Sequence, residues 1–415
     1  MSRSILNKLL ADNPIVITGA GSMSAAGDSV EALWSAAITG RSLAQWREFE
    51  IESRRGRFAV CSAPDLDGLV SEVKQARRMD RSVQLAWCAA NQARNQACLS
   101  EAYPSERIGL IVGSSRGPLG KRTESFGHPE THQYPPSLSS KNTFGCISGA
   151  LAQSFKLKGP GATISATCAS AAFAIGIAAE QILLGKADAM LVGGAEAPLH
   201  FALLAQLDAA GVLGKHDEAS QTCRPFDASR NGTVIGEGSA FLVLESARAA
   251  AARGVPALAR LAGWEFRVDD SGRSGVREDG LGLFEVMREG LRTAGLASHH
   301  VDYINAHGTG TKMNDVAEAW AIHQLFGERS TAPSCNSTKP VTGHCLGATP
   351  ALEAVLCVET LRRQRIPAAV NCLQPDPLCP VHPLSAQKPP ETLTHVMSNS
   401  LGFWGSHAAL IFSRA

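Results

Sequence analysis

Short apolar strands alternate with helical patterns along most of this chain, and that alternation restricts the fold more than any other feature of the sequence. Pro14–Thr18 reads as a strand ending in Gly-Ala-Gly, and Asp28 or Ser29 as the cap of a helix that stops near Gly40. Met79–Leu99 reads as a long helix. Ile108–Val112, Ala162–Ala166, Ala189–Gly193 and Ser239–Leu244 have the length and apolar content of strands, and Val301–Asn305 and Met313–Phe326 continue as strand and helix. Strand–helix alternation of this kind predicts sheets covered by helices, an α/β fold. The run MLVGGAEA…GSAFLVLES is echoed by VMSNSLGFWGSHAALIFS, each a strand, a Gly-rich turn and a strand, and Val301–Asn305 with its loop is comparable to Ile108–Val112 with Gly-Ser-Ser. The echo predicts two related halves, residues 14–255 and 256–415, after a short amphipathic extension over residues 1–13.

Composition narrows the functional classes. A chain of 415 residues with 44% hydrophobic and 19% charged content has enough apolar material for a large core without disulfides. The net charge of +1 gives no reason to expect a nucleic-acid or membrane partner. The most charged run, Trp46–Arg57, mixes both signs and reads as a solvated edge. The 11 cysteines are odd in number and lack any C-x-x-C pair, so they read as reduced, buried thiols of a cytoplasmic protein, Cys88 and Cys98 in Ala-rich helical runs among them. The most apolar helix candidate, Ala169–Leu184, is shorter than a membrane span.

Three segments carry the chemistry. Cys168, in TISATCASAAFAIG, sits where an apolar strand ends and a small-residue helix begins. A sulfur there is expected to gain thiolate character from helix N–H groups, which could also hold an oxyanion. His307, in YINAHGTGT, and His344, in TKPVTGHCLGA, each lie in a Gly/Thr loop after an apolar run. Neutral imidazoles so placed can donate hydrogen bonds to a thioester carbonyl as charge grows on it, without a metal. Zinc binding by these three residues is a competing reading that lacks ligand spacing. Lys339 and Glu353 flank His344 and are placed to pair and fix its ring; an unrelated surface pair is the alternative.

These motifs together resemble the β-ketoacyl-[acyl carrier protein] synthases, in particular the elongating class with a Cys-His-His triad, of the thiolase superfamily. The resemblance rests on TCAS at Cys168, NAHGTGT at His307, TK-x-x-x-GH-x-LGA at His344, the closing NSLGFWG, and CRPFDASRNGTVIGEG over Cys223–Gly238. It runs from Pro14 to Phe412. It implies a duplicated five-layer αβαβα sandwich and an enzyme without a bound cofactor, whose substrates ride on the phosphopantetheine of an acyl carrier protein. By the same resemblance Cys168 accepts the acyl chain, and His307 and His344 promote decarboxylation of the malonyl carrier. Lys339 and Glu353 support the second histidine, Thr309 and Thr311 contact pantetheine, and the Phe403 N–H joins that of Cys168 in the oxyanion hole, with Phe403 and Trp404 in the gating loop. The expected partners are the carrier protein and either a second copy of the chain or a chain-length-factor-like subunit. A non-catalytic chain-length partner and a non-decarboxylating, thiolase-like acyltransferase are the alternatives. The first typically lacks the cysteine kept here, and the second uses another cysteine near the C-terminus, where the final 36 residues contain none.

Departures from the family pattern are local. The family's GFGG-Thr-Asn is Gly402-Phe403-Trp404-Gly405-Ser406-His407, its GAAG is Gly347-Ala348-Thr349-Pro350, Leu401 replaces a common aromatic, and Arg267–Asp279 lacks the usual His and Thr-x-Pro. They point to a specialised acyl substrate, with the Trp404 side chain reshaping the acyl entrance.

Overall fold

The computed structural model describes residues 3–51, 53–70, 78–124, 134–270, 276–327, 332–381 and 392–415. Thirteen strands occur among them: β1 (Ile15–Met23), β2 (Gln45–Ile51), β3 (Arg54–Cys61), β4 (Ile108–Gly113), β5 (Gly161–Ile164), β6 (Ala189–Glu196), β7 (Ile235–Gly236), β8 (Gly238–Ser246), β9 (Ala259–Val268), β10 (Tyr303–Asn305), β11 (Ser334–Asn336), β12 (His395–Gly402) and β13 (Ser406–Ser413). Ten of them form one ladder in the order β5-β4-β6-β8-β1-β9-β13-β12-β10-β11. The order is a mirror about its centre. Outward from β1 the pairings are antiparallel, antiparallel, parallel, parallel. Outward from β9 they run in the same sequence. The two halves join where Ile15–Ile17 of β1 pairs with Ala259–Leu261 of β9. The echo read in the sequence is therefore β6 and β8 matched by β12 and β13, with β10 the counterpart of β4.

Helices complete five layers. Arg81–Gln96 and Cys146–Phe155 cover the outer face of the first half, and Leu281–Ala294, backed by Lys312–Phe326, covers that of the second. Between the halves lie Ser170–Leu183 and Thr349–Arg363, which touch strands of both. Thr349–Arg363 is buried along nearly its whole length, and Ala171, Ala174, Ile175, Ala178 and Ala179 make Ser170–Leu183 thin enough to sit inside. The middle layer explains why Ser170–Leu183 is apolar nearly all round, where a surface helix shows a stripe. The N-terminal helix Arg3–Asp12 docks on the second half, with Asn7 Nδ2 donating to Arg292 O at 3.1 Å.

Several boundaries differ from the sequence reading. β1 runs on through Gly-Ala-Gly to Met23 because the glycines let it lie directly on Arg81–Gln96; a Cβ on Gly21 would strike the Ala89 carbonyl. The mixed-charge run at Trp46–Arg57 is an exposed hairpin of β2 and β3. Its alternating charges left no apolar signal for a strand. Ser29 is the cap, accepting from Ala32 N–H at 3.2 Å, and Gly40 closes that helix with φ 65°. Ala162–Ala166 shifts to Gly161–Ile164, and Met79–Leu99 shortens to Arg81–Gln96, capped by Asp80. None of the eleven cysteines forms a disulfide, but Cys98 is exposed, contrary to expectation, because the helix ends before it and it takes a left-handed conformation. Residues 271–275, within the Arg267–Asp279 stretch singled out above, lie outside the described residues.

Candidate active site

Cys168 sits on a tight turn between β5 and the Ser170–Leu183 helix. Thr167 is held at φ 50°, a conformation that a β-branched residue adopts at a cost of about 1–3 kcal/mol. Two bonds of Ser170 hold the turn there: its Oγ accepts from Ala166 N–H at 2.9 Å and donates to Thr167 O at 2.5 Å. The end of β12 is pressed against this turn. Gly402 has no room for a Cβ beside Thr167 Oγ1, Thr167 Oγ1 donates to Phe403 O at 3.2 Å, and the Phe403 backbone N–H donates toward the Cys168 sulfur. Cys168 and Phe403 are thus brought together from opposite halves of the chain.

Burial changes the expected state of the thiol. Loss of solvent pushes Cys168 up to about 11, against the pull of the Lys339 and Arg116 charges and the Phe403 N–H, while the Glu196 carboxylate pushes the same way as burial. The resting group is a thiol, contrary to the thiolate expected from its place before a helix. The helix effect is short-ranged, and here burial outweighs it.

His307 follows β10. Its N–H and that of Gly308 donate to the two oxygens of Glu318, at 2.8 and 2.7 Å. His344 follows the short helix Lys339–Thr342; its N–H donates to Val234 O at 2.7 Å, and its Nδ1 lies 3.0 Å from Thr349 Oγ1. The two rings meet edge to face with centroids 5.3 Å apart. Burial first, and the Lys339 charge second, hold both imidazoles well below the usual histidine range, so both are neutral. Lys339 is wholly buried and donates to Glu353 Oε1 at 2.7 Å. Burial pushes Glu353 up to about 7 against the attraction of that ammonium. The pair is no surface accident, yet neither member bonds to the His344 ring; Thr349 does. Lys339 acts on Cys168, His307 and His344 alike through its charge.

Thr309 and Thr311 share a bond between their hydroxyls at 2.9 Å, and Thr309 also donates to Asp315 at 3.5 Å, leaving Thr311 the more accessible. Asp315 accepts from Gly310 N–H and Phe226 N–H, and Arg230 donates to Thr311 O and Lys312 O, so the Cys223–Gly238 signature braces the His307 loop. Phe403 is partly exposed. Trp404 is 66% exposed and stands at φ 62°, with no role in packing the site. Asp269 N–H donates to Gly405 O at 2.9 Å and Asp269 Oδ2 lies 2.8 Å from His407 Nε2, which ties the loop down on its far side. Glu318, Asp315 and Thr349 escaped the sequence reading. Two acids three residues apart on an otherwise buried helix face were a visible sign for the first two. Among the described residues no group of three His, Cys, Asp or Glu is arranged to hold a metal, and no helix is long and apolar enough to cross a membrane.

A mirrored αβαβα fold with a thiol and two facing neutral imidazoles in its loops defines a protein of the thiolase-like class. Residues 12–250 match the N-terminal domain of β-ketoacyl synthases and residues 258–373 the C-terminal domain. The chain belongs to the β-ketoacyl synthase family. It is 33% identical to 3-oxoacyl-[acyl-carrier-protein] synthase 2 of Staphylococcus aureus (strain COL), over 96% of this chain and 98% of that one. Among solved structures it resembles the complex of a type II PKS acyl-carrier protein with its ketosynthase bound to the hexaketide (TM-score 0.86, 26% identity, 97% of this chain and 100% of the other). It also resembles the ishigamide ketosynthase/chain length factor (TM-score 0.85, 29% identity, 97% and 99%).

Proposed function

We propose that the chain is a condensing enzyme that joins an acyl thioester to malonyl-acyl carrier protein, with loss of carbon dioxide, to give a 3-oxoacyl-acyl carrier protein. The Cys168 sulfur attacks the acyl thioester carbonyl and releases the carrier's phosphopantetheine thiol. The oxyanion forms against the N–H groups of Cys168 and Phe403. Malonyl carrier then enters; His307 and His344 donate to its thioester carbonyl while the carboxylate departs as carbon dioxide. The resulting enolate attacks the acyl-Cys168 carbonyl, and Cys168 leaves and regains its proton. Lys339, paired with Glu353, adds its charge to the burial that keeps both imidazoles neutral, and Thr309 and Thr311 line the pantetheine approach. The acyl groups arrive on a carrier protein's phosphopantetheine, so the protein needs no bound cofactor of its own. The chain works as a homodimer or beside a chain-length-factor-like subunit.

The observation that carries this reading is the facing pair of buried, neutral imidazoles beside a charged Lys339. Such a pair can stabilise an enolate but is poorly suited to general-base hydrolysis. The test is incubation with a panel of acyl carrier proteins and malonyl carrier, followed by intact-mass detection. The expected product is a carrier-bound 3-oxoacyl chain two carbons longer. Acylation of the enzyme without elongation or release of carbon dioxide would instead make it an acyltransferase.

Trp404 sets which acyl chains enter. A left-handed Trp stands at a disadvantage of about 1–2 kcal/mol relative to glycine, so its presence in the loop calls for a reason beyond folding. Trp404→Gly is expected to accelerate turnover of poorly accepted chains without loss of thermal stability. An unchanged substrate profile removes the gating role.

A further inference from the structure

We infer that Thr349 is a positioning residue that fixes the tautomer and orientation of His344 through its side-chain hydroxyl. The inference rests on the condensing reading above and adds a member to its machinery. The His344 Nδ1 to Thr349 Oγ1 distance is 3.0 Å, and both side chains are buried. Thr349 is the first residue of the Thr349–Arg363 helix; the cap position is Ala348 and no side chain caps the helix, so the hydroxyl is not spent on the helix's own N–H groups. Its place is rigid. The side chain is β-branched, and Pro350 follows it in the first turn, where proline pre-sets the helical backbone. In the sequence this Thr-Pro pair stands out only as one of the departures from the family pattern.

The direction of the bond follows from the chemistry. A neutral imidazole carries one N–H, and donation to a thioester carbonyl requires that proton on Nε2. Nδ1 is then an acceptor, and the Thr349 O–H is the donor that faces it. His307 differs: its Nδ1 is buried without a hydrogen-bond partner, and its loop is held through the backbone by Glu318. The two histidines are therefore fixed by different means, one by its ring and one by its main chain. Of the expected ring-fixing pair, Lys339 acts on His344 through its charge alone and Glu353 pairs with Lys339.

Two variants separate the possibilities. Thr349→Val keeps shape and removes the hydroxyl; Thr349→Ser restores it. With malonyl carrier as substrate, Thr349→Val should lose decarboxylation by about tenfold or more, the scale on which removing the partner of an oriented imidazole acts. Acylation of Cys168 should stay at the wild-type rate, and Thr349→Ser should recover most of the loss. In histidine-labelled protein, the imidazole nitrogen shifts of His344, assigned with His344→Gln, should report a proton on Nε2, and Thr349→Val should mix the two tautomers. Wild-type decarboxylation in Thr349→Val, equal damage in Thr349→Ser, or a proton on Nδ1 in the wild type overturns the inference. The spectroscopic arm needs no substrate. A wild-type protein that never decarboxylates malonyl carrier thus sinks the condensing reading while the role of Thr349 is still decided by the tautomer.

Discussion

Cys168→Ala is expected to form no acyl-enzyme, and condensation should fall by more than about a thousandfold, as when a covalent nucleophile is removed. The fold should survive. The turn is held by Ser170 and Thr167, and the imidazoles by Glu318, Val234 and Thr349, none of which involves the sulfur. Slow decarboxylation of malonyl carrier should therefore persist in the variant, uncoupled from condensation. A mass increment of one acyl group on the alanine protein would refute the nucleophile assignment. The pH dependence of the intact site sharpens this. Because burial raises the thiol to about 11, the reactive thiolate is a small fraction at neutral pH and grows as protons leave. Alkylation of Cys168, followed on its own peptide, should rise roughly tenfold per pH unit through the neutral range. A plateau at neutral pH would show a thiolate already formed.

Lys339→Met is expected to give the largest loss of stability of any single change at the site, roughly 3–5 kcal/mol where the partner stays ionised. Lys339 and Glu353 are both enclosed, so removing the ammonium leaves a buried carboxyl alone. The sign with pH is fixed by the direction of the Glu353 shift. Its folded value, about 7, already lies above its ordinary 4.5, and loss of Lys339 raises it further. Between these values the unfolded chain holds fewer protons than the folded one, so stability falls as pH rises. The deficit of Lys339→Met should thus be smaller near pH 5 and larger near pH 8, as read from denaturant unfolding at the two values. The double variant Lys339→Met, Glu353→Met should regain most of it. An equal deficit at both pH values, or no rescue, would show that the pair is not a coupled buried couple. Activity should fall in the single variant as well, because the same charge reinforces burial in holding His307 and His344 below the usual histidine range.

The parts of the site legible in the sequence were those that local geometry places. Cys168 and His307 each follow a strand, His344 follows the short helix Lys339–Thr342, and the Gly, Thr or Ser turns that all three occupy are written in consecutive residues. The repeat was legible for the same reason: β6 and β8 carry the pattern of β12 and β13. What stayed hidden involved burial or distance along the chain. Thr167 and Phe403 meet across 236 positions, and no local pattern pairs them. Thr349 lies only five residues from His344, yet the intervening turn, with Leu346 at φ 43°, decides that its hydroxyl points back at the ring.

The sequence by itself determined the duplicated α/β plan and the identities and loops of the thiol and the two imidazoles, because strand and helix periodicity and turn chemistry are local. The tertiary structure alone decided their chemical state. Stacking the halves around two enclosed helices withdraws solvent from Cys168, His307, His344, Lys339 and Glu353 together. Desolvation, the leading influence on the thiol, both imidazoles and the Glu353 carboxyl, exists only once all layers are in place.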